Sequence, residues 1–167
     1  MSLFSKPIES LDDLYIHTLQ DIYYAEQQIL KKLPTMAEKA SNRELKRAFQ
    51  HHFSETETQV QRLEQIFKLL DKPVKAVNCP AIDGILAETR EIMSDCADSD
   101  VRDAAMLSAA QAVEHYEISR YGTLIAFSEQ LRYKECAELL KRTLAEEKAA
   151  DQKLSTIAES RVNKKAA

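Results

Sequence analysis

The sequence predicts an all-α protein: a four-helix bundle with a short fifth helix in its long crossover. Three observations carry this. Only two glycines occur in 167 residues, which leaves few tight turns and favours long helices with short connections. Four long segments repeat apolar residues in steps of three and four, the seam a helix buries against its neighbours. Finally, the segments are separated by two short polar turns and one longer, proline-containing stretch. The length suits one domain with a sizeable core, placed at residues 1–160, with the mildly basic 161–167 as a flexible tail.

Residues 1–10 read as a lead-in. Ser10 is a suitable N-cap, and Asp12 and Asp13 favour the positive end of the helix that follows. That helix spans 11–40, with the seam Tyr15, Leu19, Ile22, Glu26, Ile29, Leu33 and Met36, in which Glu26 is the only charged member. Pro34 removes a hydrogen bond inside the run and predicts a kink or break near Lys31. Ser41 and Asn42 form a turn and can cap a second helix over 43–70. Its stripe is Leu45, Phe49, Phe53, Thr56, Val60, Leu63, Phe67 and Leu70, with His52, Glu55 and Gln59 along one margin.

The crossover at 71–80 contains two prolines, and a shorter helix follows over 82–96, outside the main core. The third long helix spans 101–130. Its seam is Ala104, Leu107, Gln111, Glu114, Ile118, Tyr121 and Ile125, and Glu117 lies on nearly the same face as Glu114. After a turn near 131–134, the fourth spans 135–160. Its seam is Cys136, Leu140, Thr143, Glu147, Ala150, Leu154 and Ile157, with Asp151 four residues beyond Glu147.

Each long helix extends roughly 40–45 Å at 1.5 Å per residue. Two short turns and one crossover give an antiparallel bundle of the ferritin-like type. Glu26 and Glu55 lie about 16 and 13 residues either side of the first turn, an axial mismatch of about 4–5 Å. Glu117 and Glu147 flank the second turn at similar distances, as do Glu114 and Asp151. All six carboxylates therefore fall in one slab at mid-bundle. They cannot all stay ionised in a low-dielectric core without compensation. Two divalent cations are the economical answer, and oxygen-rich ligation suits iron or manganese, or else magnesium or calcium. The competing reading is a set of solvated-edge glutamates, neutral acids or a polar network paired with N–H groups.

His52, one turn before Glu55, reads as a helix-face histidine half in water, with orientation of Glu55 as the alternative. His17 and His51 read as surface residues, and His115 lies on the flank of the seam. Tyr23, Tyr24 and Tyr121 read as core aromatics able to donate to a metal-bound oxygen species. No nucleophilic triad and no glycine-rich phosphate loop is present. The formal charge is −4 with both signs intermixed, and the absence of a basic stripe argues against nucleic-acid binding. Cys79, Cys96 and Cys136 form no CxxC pair, which argues against a disulfide framework or cysteine zinc site and fits a reducing compartment. Early acidic residues argue against a signal peptide. No apolar run is long enough to span a membrane. The expectation is a cytoplasmic protein.

Five stretches carry a resemblance to a known family: Asp21 to Pro34, including Glu26; Phe53 to Glu64, including Glu55; Cys79 to Gly84; Ala110 to Gly122, including Glu114 and Glu117; and Thr143 to Asp151, including Glu147. Together they make the chain resemble, over nearly its whole length, the YciE/YciF group of bacterial ferritin-like stress proteins. The resemblance implies a ferritin-like bundle, usually dimeric, in soluble proteins linked to stress responses. One departure from the wider ferritin and rubrerythrin pattern stands out. Their Glu-x-x-His pairs are replaced here, since Thr58 follows Glu55 by three and Ala150 follows Glu147 by three.

Two functions follow as expectations. One is a redox protein whose di-metal centre handles peroxide, oxygen or ferrous iron. The other is a non-enzymatic dimeric stress protein with a structural or vestigial metal. A homodimer is expected in both cases, with Phe4, Tyr15, Tyr24 and Ile85 as interface candidates because one core cannot bury every apolar side chain.

Overall fold

The computed structural model describes residues 7–167, and Phe4 lies outside them. α1 spans Leu11–Lys39, α2 Arg43–Leu69, α3 Pro80–Asp95, α4 Ser99–Gln130 and α5 Lys134–Ile157. A wide π-type turn, Ala158–Val162, leads into a last helical turn, α6, at Asn163–Ala166. No strand occurs among the described residues. α1 and α2 form one hairpin and α4 and α5 the other. α2 packs beside α5 and α1 beside α4, which closes a ring of four helices, the ferritin-like arrangement.

Side-chain chemistry sets the helix ends. Ser10 Oγ accepts from the backbone N–H of Asp13, Asn42 Oδ1 from those of Glu44 and Leu45, and Asp98 Oδ1 from those of Asp100 and Val101. The turn between α1 and α2 is also held from the other hairpin. Asp103 of α4, 1% exposed, accepts from the N–H groups of Ser41 and Asn42 at 2.9 and 2.6 Å. α2 and α4 end on residues in the left-handed region, Asp71 (φ 52°) and Arg132 (φ 64°), where a glycine would be expected.

Several expectations are revised. Of the kink or break expected near Lys31, the break does not occur: α1 runs through Pro34 as one helix. Residues 161–166, expected to fray, continue the helix, and Val162 is buried. Tyr15 cannot serve a subunit interface as placed: it is wholly buried, and its hydroxyl accepts from Ser128 at 2.8 Å. Tyr24 is half-buried and donates to Asp83 of α3. α3 lies against α4 and α1, with Ile82 and the preceding Cys79 buried beneath it and Ile92 exposed on its outer side.

The buried set also shows how each helix is rotated. In α2 it is Leu45, Phe49, His52, Thr56, Gln59, Leu63 and Ile66, in alternating steps of four and three, with Ala48 and Phe67 beside it. In α4 the same rhythm runs Asp103, Leu107, Glu114, Glu117, Tyr121, Leu124 and Ser128, with half-buried Ala110 completing it. Phe53 and Val60, expected in the α2 stripe, are only half-buried.

Candidate metal centre

The seams converge at mid-bundle on a charged cluster. α1 supplies Glu26, α2 supplies His52, α4 supplies Glu114 and Glu117, and α5 supplies Glu147. All five are buried, and Glu26, Glu117 and Glu147 are 0% exposed. One donor atom each from His52, Glu114, Glu117 and Glu147 lies within 4.8 Å of the others. His52 Nε2 is 3.5 Å from Glu114 Oε1.

Hydrogen bonding leaves this cluster conspicuously short of partners. Both oxygens of Glu117 and of Glu147, Oε2 of Glu26 and of Glu114, both ring nitrogens of His52 and Oε1 of Gln59 are buried without one. Native interiors rarely leave such groups unmatched. Glu26 has one strong donor, the hydroxyl of wholly buried Tyr121. The carboxyls act on one another, Glu26 with Glu117 and Glu147, and Glu114 with Glu147, each adding to the cost of charging its neighbour.

The electrostatics follow from burial. Desolvation, reinforced by the neighbouring carboxylates, pushes Glu26, Glu117 and Glu147 well above the ordinary carboxyl range. Glu114 is pushed up to about 7, first by burial and then by the charges of Glu26, Asp151 and Glu55. Burial lowers His52 to about 4, with His51 adding to the effect, so its imidazole is neutral and can act as a ligand. Next to the cluster, Arg62 grips Glu146 with two hydrogen bonds of 2.5 and 2.7 Å. Gln59 Nε2 donates to the same carboxylate at 3.2 Å. This leaves Gln59 Oε1 as its free acceptor.

Of the six carboxylates predicted from sequence, the structure brings Glu26, Glu114, Glu117 and Glu147 together. Glu55 and Asp151 stand at the margin. Glu55 is bound at 2.8 Å by His51 Nδ1, and its side chain is 27% exposed. Asp151 accepts from Gln111 Nε2 at 3.4 Å and lies 3.4 Å from His115 Nε2. His52, expected half in water, is instead 8% exposed and inside the cluster. The helix presents His-x-x-Glu rather than Glu-x-x-His, and the histidine turns inward. The strict step of seven from Leu45 through His52 and Gln59 to Ile66 was the signal that could have found it.

The donor set fits a metal. Several buried carboxylates and a neutral imidazole, most with unmatched lone pairs, are donors that could hold a metal ion. A cavity of about 50 Å³ reaches the cluster, bounded by His52, Glu55 and Glu114 on one side.

Comparison with known proteins bears on the same elements. Residues 10–167 match the family described as Domain of unknown function (DUF892). The chain is 43% identical over 160 residues to Protein YciF of Escherichia coli (strain K12), covering 95% of this chain and 96% of that protein. Its fold matches the crystal structure of the E. coli stress protein YciF with a TM-score of 0.89 at 42% identity, over 94% of this chain and 99% of that one. It matches YcfI from Rhodopseudomonas palustris with a TM-score of 0.90 at 51% identity, over 93% and 99% of the two chains.

Proposed function

The chain belongs to the DUF892 family, and from that premise we propose that it is a ferritin-like stress protein. In this reading its core holds two iron or manganese ions that react with a small oxidant or with ferrous iron. The observation that carries the reading is the cluster of unmatched acceptors on His52, Glu114, Glu117 and Glu147. A stress-protein relative of closely similar fold supports it.

His52, Glu114, Glu117, Glu147 and Glu26 would hold the ions. Glu55 and Asp151 join by turning inward from their present partners. When bound, the metals supply one-electron redox chemistry toward the oxidant. The protein's own groups do the rest. Tyr121 keeps a proton on its hydroxyl beside Glu26. Arg62 pairs with Glu146 and so offsets part of the negative charge that this carboxylate places beside Glu147. The apolar seams above and below exclude bulk water.

The test is elemental analysis of freshly purified protein, with peroxide, dioxygen and ferrous-iron consumption measured on the same sample. Glu114→Ala and Glu147→Ala are each expected to lower metal content. If both variants bind metal as the parent does, the site assignment is wrong. Metal without turnover makes the ion structural. We also propose a homodimer, since Leu14, Leu69, Val74, Ile92 and Val101 remain exposed on the single chain. Sedimentation as a monomer at micromolar concentration excludes it.

A further inference from the structure

The cavity that reaches the cluster has a chemistry of its own. It lies between α1, α2, α4 and α5, and most of its wall is apolar, including Ile29, Leu33, Phe49, Val113 and Leu154. All five of these side chains are buried. Exposed Lys32, His51 and Lys153 mark the side that reaches solvent. At the inner side stand His52 and Glu114, each with an unmatched buried atom.

We propose that this cavity is a holding site for dioxygen, placed to deliver it to the His52–Glu114 face of the cluster. Size and polarity select the class. About 50 Å³ is well below the ~150 Å³ of a cavity that takes benzene, yet above the ~10–15 Å³ needed to hold one water. An apolar wall favours a neutral, weakly hydrated molecule. Away from the His52, Glu55 and Glu114 end, that wall offers a hydrated ferrous ion no ligand in exchange for its water shell. The inference deepens the proposed function, and rests on that reading only for the use made of the dioxygen. Occupancy of the cavity can be tested without metal.

The experiment is methyl NMR of the metal-free full chain under dissolved dioxygen pressure, because dioxygen is paramagnetic and shifts the nuclei it touches. The expected result is an oxygen-induced shift at Leu33, Val113 and Leu154 several-fold larger than at Leu124 and Leu140, which are also buried but line no part of this cavity. Ala110→Leu, which fills the cavity from α4, is expected to remove the excess shift, and Ala150→Leu repeats the test from α5. In metal-loaded protein, either plug should slow dioxygen consumption at least about fivefold with metal content unchanged. Shifts at Leu33, Val113 and Leu154 no larger than at Leu124 in the parent protein overturn the inference. So does a plug that removes the excess shift and leaves consumption unaltered. Excess shifts in a protein that binds no metal instead count against the metal reading and leave the dioxygen site standing.

Discussion

Tyr121 of α4 donates its hydroxyl hydrogen to Glu26 of α1, and both side chains are 0% exposed. Among the described residues this is the one hydrogen bond that any of the four clustered carboxylates receives from a tyrosine, and it favours the ionised form of Glu26 against burial. Tyr121→Phe is expected to destabilise the protein by about 1–3 kcal/mol, the cost of a buried acceptor left unpaired. It should also weaken metal retention. Urea denaturation and elemental analysis of the same preparation check both.

The metal-free protein is expected to gain stability as pH is lowered from 8 to 6.5. Four folded carboxyls titrate above the ordinary value of 4.5, Glu114 at about 7 and Glu26, Glu117 and Glu147 raised well above it by burial and by one another. In that range the folded state binds more protons than the unfolded chain, so stability falls as pH rises. His52 acts in the opposite sense. Its folded value of about 4 lies below 6.5, so its contribution is lost as pH falls through 6.5 to 4 and offsets part of the gain there. Metal binding needs the carboxylates deprotonated, so metal-loaded protein should show the reverse trend. Thermal melts with and without chelator test this, at about 2–4 °C in Tm per kcal/mol for a chain of this size. A metal-free Tm that rises with pH from 6.5 to 8 would falsify the account.

Glu117→Gln should separate binding from stability. It removes one charge, keeps the shape and supplies an amide donor beside Glu26. Metal content is expected to fall, while the chelated protein at pH 8 becomes more stable than chelated parent, because like-charge repulsion is relieved.

Arg62 and Glu146 tie α2 to α5 beside the cluster through a two-point ion pair, with side chains 17% and 27% exposed. Arg62→Ala should cost more than Glu146→Ala, since it leaves Glu146 uncompensated next to Glu147. The double variant should be less destabilised than the sum, by about 1–3 kcal/mol of coupling. Additivity within error would mean the pair contributes nothing.

Arg132 closes α4 with φ 64° and an exposed side chain. Arg132→Gly is expected to stabilise the protein by up to about 1 kcal/mol, because a residue with Cβ is strained in that region. Lower stability of the variant would show that the Arg132 side chain makes a favourable interaction that outweighs the backbone strain.

Fold and site were legible to different depths. In α1 and α5 the seams alternate in steps of four and three without competition, so Glu26 and Glu147 were placed by spacing alone. α2 offers two overlapping stripes. The more apolar one, through Phe53 and Val60, looks like the core on hydrophobicity alone. The rotation that packs α2 against both α1 and α5 instead turns His52, Thr56 and Gln59 inward. Glu55, one position before Thr56, is then carried about 100° off the seam at 3.6 residues per turn. Glu117 was legible as a neighbour of Glu114. Its complete burial was not, because α3 covers the other side of α4 and leaves that helix without one clear polar face.

The crossover between the hairpins has a consequence for the chain as two pieces. Residues 71–75 are exposed and lie between helices. A nick there yields one fragment bearing Glu26 and His52 and another bearing Glu114, Glu117 and Glu147. Separately, each fragment presents its acids on a stripe open to water, where ionised carboxylates are at no disadvantage. The conflict among them exists only once the two halves close on each other. Reassociation of a nicked chain is therefore gated: complementary apolar seams draw the halves together, and closure requires a proton or a cation to arrive between them.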